Sequence, residues 1–208
     1  TRTYSNIQSN QTAQNYTAQV CGVSCGDMTA MIGEGTVGMY TLAPSQSKRD
    51  AYGGVNSGPV KMESTVPFLV AERDAWLLNG VVQSFSEMMG LPGNQVTDTY
   101  YFPWYNNVTM DTQLRFANLG NTSTDITVTI AGAAQTPITV PAGQSTRVSY
   151  PVNAGPVKVQ SSGGVPIIVA ERDAWLINGV VQSFSEMMGL PGNKVTDTYY
   201  FPWYNNVT

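Results

Sequence analysis

Polar and apolar residues alternate at period two along much of this chain, and that alternation predicts strands. Thr124–Ile130 (TDITVTI) is the clearest case, and Thr136–Val140 follows the same rule. Pro141-Ala142-Gly143-Gln144 is a turn signal, with Ser145–Tyr150 as the expected hairpin partner. Thr112–Ala117, Pro156–Gln160, Val165–Glu171, Gly179–Phe184 and Thr198–Tyr204 read as further strands. Ser84–Met89 (SFSEMM) is the one helical candidate, but it is too short and too close to Gly90 and Pro92 to be more than a turn. The helices of about 10–15 residues that an α/β fold needs between its strands are missing. The expected class is therefore all-β: two tandem antiparallel β-sandwich modules, Ig-like or jelly-roll-like.

The tandem organisation rests on an internal repeat. Val66–Thr109 recurs as Val165–Thr208, and only four positions differ: Phe68/Ile167, Leu69/Ile168, Leu78/Ile177 and Gln95/Lys194. Three of these exchange one apolar residue for another, as a packed position tolerates. Upstream the match loosens: Tyr40–Tyr52 aligns with Ile138–Tyr150, Gly58-Pro59-Val60-Lys61 with Gly155-Pro156-Val157-Lys158, and Asp27–Ile32 with Asp125–Ile130. A period this long is that of a domain rather than of a solenoid repeat. The phase is informative too. Thr97–Thr109 recurs as Thr196–Thr208 and, in degenerate form, as Thr1–Thr12, so this segment has three copies where the rest has two. Residues 1–96 and 97–195 are the expected modules, and 196–208 is an additional strand, a candidate donor.

Composition narrows the function. Only 12% of the 208 residues are charged, and the net charge is −4 with 10 Lys and Arg. No basic cluster exists to bind nucleic acid or an anionic membrane. Histidine is absent, which removes histidine-based catalysis and imidazole metal sites. No apolar run approaches the roughly 18 residues of a membrane helix. The start at Thr1 is that expected of a mature, exported chain.

Candidate residues follow. Glu72-Arg73-Asp74 and Glu171-Arg172-Asp173 are the densest charge clusters. Glu72 with Glu87 could be read as a glycosidase-like acid and base, but duplicated clusters fit a structural role better: an arginine bridging carboxylates at a strand end, at a module boundary. Cys21 and Cys25 have no counterpart in the second module and are expected to form a short disulfide in an oxidising compartment. Asn10, Asn15, Asn107, Asn121 and Asn206 occupy N-x-S/T sequons, candidates for covalent glycans. Tyr100, Tyr101, Phe102, Trp104 and Tyr105, with their copies Tyr199, Tyr200, Phe201, Trp203 and Tyr204, flank prolines that confine the segment to a sheet edge or a boundary. Such an aromatic strand reads as an inter-module or inter-subunit contact.

The segments VPIIVAER, SFSEMMGLPGN and TDTYYFPWYNNVT resemble tandem repeats of exported proteins in Chloroflexi-like environmental bacteria. They are also similar to subunits of glycosylated extracellular fibrils built of tandem β-sandwiches linked by donated strands. The resemblance implies an extracellular or cell-surface location and a structural role, with no activity and no cofactor; the N-terminal 40 residues depart from it. The expected function is a structural fibre subunit that polymerises with itself head to tail by strand donation. A carbohydrate-binding or adhesive module of a larger secreted protein is the alternative.

Overall fold

The computed structural model describes residues 24–203 and 205, together with the backbone of residues 15–20. The chain is all-β. Its strands are β1 (Asn15–Val20), β2 (Gly26–Ile32), β3 (Gly35–Leu42), β4 (Ser47–Asp50), β5 (Val60–Ser64), β6 (Phe68–Leu78), β7 (Val81–Met89), β8 (Thr99–Phe102), β9 (Tyr105–Asn106) and β10 (Met110–Asn118). They continue as β11 (Thr124–Ile130), β12 (Ala133–Ala134), β13 (Ile138–Val140), β14 (Ser145–Val148), β15 (Asn153–Ala154), β16 (Val157–Ser161), β17 (Ile167–Ile177), β18 (Val180–Met188) and β19 (Leu190–Pro191).

Four main sheets form, all antiparallel. Sheet A has the order β4-β1-β6-β7 and sheet B the order β3-β2-β5; sheet C is β14-β10-β17-β18 and sheet D is β12-β11-β16-β8-β19, with β13 also on β11. Sheets A and C repeat one pattern. In each, an eleven-residue strand turns through Asn-Gly into a nine-residue partner. Asn79, Gly80, Asn178 and Gly179 all have positive φ, the conformation a two-residue turn needs to match strand twist. Both Gly-Pro bonds, at Gly58-Pro59 and Gly155-Pro156, are cis.

Ser84–Met89 is no turn. It is the greater part of β7, paired with β6 from Ala71↔Met89 to Trp76↔Ser84. Its Ser-Phe-Ser-Glu alternation and the ladder along β6 outweigh the helical preference of Glu and Met, because strand preference is set mainly by the neighbours a strand finds. The expected strand at Thr198–Tyr204 does not form among the described residues.

The largest core lies between sheets C and D. Leu114, Phe116, Ile167 and Val169 face Ile126, Val128, Val157 and Val159, and Tyr100, Phe102 and Tyr105 fill the space between. The alternation of Thr124–Ile130 is that of a strand with one face in this core, Ile126, Val128 and Ile130 inward and Asp125 outward. Sheet B has a smaller core of Met28 and Leu42, against which Tyr40, Met62, Val66 and Phe68 pack.

Candidate assembly interfaces

The two described copies of the aromatic segment share local structure and differ in surroundings. In each, a backbone amide meets a tyrosine hydroxyl three residues on: Thr97 N to Tyr100 Oη at 3.4 Å and Thr196 N to Tyr199 Oη at 3.1 Å. The first copy then becomes β8, which sits between β16 and β19 with Val157 opposite Phe102 and Val159 opposite Tyr100. Tyr100 and Phe102 are 0% and 1% exposed, whereas Tyr199 and Phe201 are 52% and 86% exposed. Tyr100 donates to the Ile167 carbonyl at 2.9 Å. Tyr105 donates to the Thr112 carbonyl and accepts from Tyr150 N, at 3.1 and 2.8 Å, and burial pushes its hydroxyl up to about 12. Two glycines make room: a Cβ on Gly155 would strike the Pro103 carbonyl, and one on Gly189 would lie 2.8 Å from the Phe102 ring. The segment is therefore a core strand at its first copy. Trp104 is the exception, exposed with its indole N–H donating to Asn153 Oδ1 at 2.9 Å.

Sheet B offers the counterpart of the place β8 takes. Repeat correspondence makes β5 the equivalent of β16, and among the described residues β5 pairs with β2 alone. Val60 and Met62 are correspondingly less buried than Val157 and Val159.

Glu72, Asp74 and Arg172, half of the residues of the two charge clusters, lie where sheet A meets sheet C. Strand alternation puts Glu72, Asp74 and Trp76 on one face of sheet A, with Ser86 opposite Asp74 and Ser84 opposite Trp76. This face packs on the side of sheet C turned away from the large core. There Ala174, Val181 and Phe184 form a small apolar cluster that Trp76 and Leu176 complete. Two amides on the open edge of β18 are claimed by sheet A: Phe184 N donates to Ser84 Oγ at 3.3 Å and Glu186 N to Ser86 Oγ at 2.8 Å. Arg115 reaches Glu186 at 2.7 Å, and Arg172 lies over the Phe184 ring at 4.6 Å. Among the described residues Glu72 forms no ion pair. Burial, with Glu186 and Asp74 nearby, pushes its carboxyl up to about 7 despite Arg115. Burial also raises Asp74 and Glu186, each partly offset by Arg115 and Arg172.

The second cluster divides between two faces. Arg172 points to the sheet A contact, while Glu171 and Asp173 face the interior with Thr112 and Leu114. Thr112 Oγ1 donates to Asp173 Oδ1. Glu171 is buried with Oε2 lacking a partner, and burial together with Asp173 pushes it up to about 8. On sheet A, Arg73 pairs with Glu87 at 2.5 Å and lies over the Phe85 ring. Glu72 and Glu87 project from opposite faces, so the structure does not assemble them as an acid–base pair.

The remaining expectations fare unevenly. Cys25 is exposed and free rather than disulfide-bonded; it stands outside the β2 ladder, and Cys21 lies outside the described residues. Asn121 is exposed and Asn107 half-buried, its Oδ1 accepting from Thr112 N. Asn10, Asn206, Tyr204 and the side chain of Asn15 lie outside the described residues. No described helix is long and apolar enough to cross a membrane. Sequence reasoning missed Trp76, Ser84, Ser86 and Phe184, although the repeated Ser-Phe-Ser-Glu alternation carried the signal. No protein-family model, curated protein or solved structure matches the chain.

Proposed function

We propose that the chain is a structural subunit of an extracellular fibre or surface layer, built of two modules and extended head to tail by strand donation. The observation that carries this is the contrast between two copies of one segment. Thr99–Phe102 is a core strand beside β16, whereas Tyr199, Tyr200, Phe201 and Trp203 stand bare and in no strand. The natural receiver is β5 of a second copy. Carrying over the β16–β8 register places Phe201 opposite Val60, Tyr200 opposite Lys61, Tyr199 opposite Met62 and Thr198 opposite Glu63. Backbone hydrogen bonds supply the affinity of such an added strand and alternate side chains its register. A contact of this head-to-tail kind does not close on itself and yields a filament. Exposed Asn121 suits a glycan, in keeping with an extracellular setting.

The test is electron microscopy of the wild-type chain beside Tyr199→Asp/Phe201→Asp. Both side chains are exposed in the single chain, so the variant keeps its fold. Wild type gives filaments and the variant gives single particles; filaments from the variant sink the proposal. Single particles from both, together with glycan binding, support the carbohydrate-binding alternative instead, because Tyr200, Phe201 and Trp203 also suit a sugar platform.

A further inference from the structure

The packing of sheet A on sheet C uses one copy of each of two repeated surfaces and leaves much of the other copies exposed: Trp175, Ser183 and Ser185 on one, Val82 and Phe85 on the other, while Asp173 is turned inward on Thr112 and Ala75 is buried. The gripping surface is the sheet A face bearing Asp74, Trp76, Ser84 and Ser86, whose repeat counterparts on sheet C are Asp173, Trp175, Ser183 and Ser185. The gripped surface is the far side of sheet C, bearing Arg172, Ala174, Val181 and Phe184, with counterparts Arg73, Ala75, Val82 and Phe85 on sheet A. Where the surfaces meet, Phe184 and Val181 are 6% and 7% exposed; the counterparts Phe85 and Val82 are 55% and 53% exposed. Trp76 packs in the small apolar cluster, whereas Trp175 is 52% exposed.

We infer that these two free surfaces bind each other between copies of this chain, repeating between chains the contact that joins sheets A and C within one. Trp175 of one copy covers Phe85 and Val82 of the next. Ser183 Oγ accepts from Phe85 N, and Ser185 Oγ from Glu87 N, as Ser84 and Ser86 do for Phe184 and Glu186. The receiving face is already shaped for it: Arg73 lies over the Phe85 ring at 4.9 Å, much as Arg172 lies over Phe184. One feature is not duplicated. Arg115 stands opposite Ala170 on β10, and the position opposite Ala71 on β1 is Thr17, so the contact between chains lacks the Arg115–Glu186 ion pair. It is the weaker copy and therefore the reversible one. A surface and its complement at different places on one chain make a heterologous contact, which propagates in one direction. That direction agrees with the donated strand: the second module of one chain meets the first module of the next. The contact stands on its own side chains, however, and does not require the strand.

The experiment uses three full-length variants, Phe85→Asp, Trp175→Asp and Phe201→Asp, in sedimentation velocity over a concentration series. All three positions are exposed, and unchanged melting temperatures check the fold. Phe85→Asp and Trp175→Asp each raise the assembly dissociation constant by at least about 30-fold, the loss expected of one aromatic anchor. Each variant keeps the surface that the other lacks. Mixed one to one, at a concentration where neither associates alone, they form heterodimers. Ser183→Ala/Ser185→Ala removes only the hydroxyl acceptors and weakens assembly by about 5- to 10-fold. Wild-type assembly by Phe85→Asp or Trp175→Asp overturns the inference, as does failure of the mixture to pair. If Phe201→Asp alone abolishes assembly, strand donation stands without this contact. If Phe201→Asp assembles and the other two do not, the contact stands without strand donation. A wild-type chain that stays monomeric refutes both.

Discussion

Replacing Glu171 with Gln should make the protein more stable in alkali and change little in acid. The carboxyl is buried on the inward face of β17, one oxygen has no partner, and Asp173 stands beside it. Burial first and Asp173 second raise its pKa from 4.5 to about 8. The folded state therefore holds this proton more tightly than the unfolded state does. The stability this contributes is complete below pH 4.5, declines as pH rises, and is lost above about 8. At about 1.36 kcal/mol per pH unit over the interval from 4.5 to about 8, the whole loss is on the order of 5 kcal/mol, a large share of the 5–15 kcal/mol of a typical domain. Glutamine matches the protonated acid in shape and can still donate to Asp173, but it never ionises. Urea unfolding of wild type and Glu171→Gln at pH 5, 7 and 9 is the assay. The two should agree within about 1 kcal/mol at pH 5, and the variant should lead by about 4–5 kcal/mol at pH 9. Glu72, Asp74 and Glu186 are present in both proteins, so their titrations cancel in the difference. Parallel stability curves across this range would refute the reasoning.

Two more substitutions probe packing and the buried tyrosine. Phe184→Ala should cost about 3 kcal/mol in urea unfolding while Phe85→Ala, its bare counterpart, costs less than about 1 kcal/mol; equal costs would mean that sheet A does not cover sheet C. Tyr105→Phe removes a donor to the Thr112 carbonyl and an acceptor for Tyr150 N, and should cost about 1–3 kcal/mol without altering the fold. Circular dichroism and chemical unfolding together check the second.

The sequence made most of the strands legible, for reasons visible in the structure. Thr124–Ile130 alternates because β11 has one face in the core and one outside, and period two is what such a strand writes. The greater part of β7, Ser84–Met89, was hidden because Glu and Met favour helices locally, and its partner β6 is identified only by the fold. The aromatic segment showed its importance but not its state. Nothing in the letters distinguishes Tyr100, 0% exposed, from Tyr199, 52% exposed, because the difference lies in which strand stands alongside. The pairing of Arg73 with Glu87 needed only the hairpin register. The meeting of Asp74 and Ser86 with Arg172 and Glu186 needed the stacking of two sheets, which no spacing along the chain encodes.

Ser84 and Ser86 also bear on how far a sheet can spread sideways. A terminal strand with spare amides is a template, and any extended segment that docks there offers a fresh edge to the next. A hydroxyl ends that series. It accepts a hydrogen bond from the Phe184 or Glu186 amide and presents no new ladder in return. With β18 sealed at these two amides, sheet C cannot template a further strand along that edge, and the side of the molecule where sheet A sits is closed to sheet-by-sheet growth.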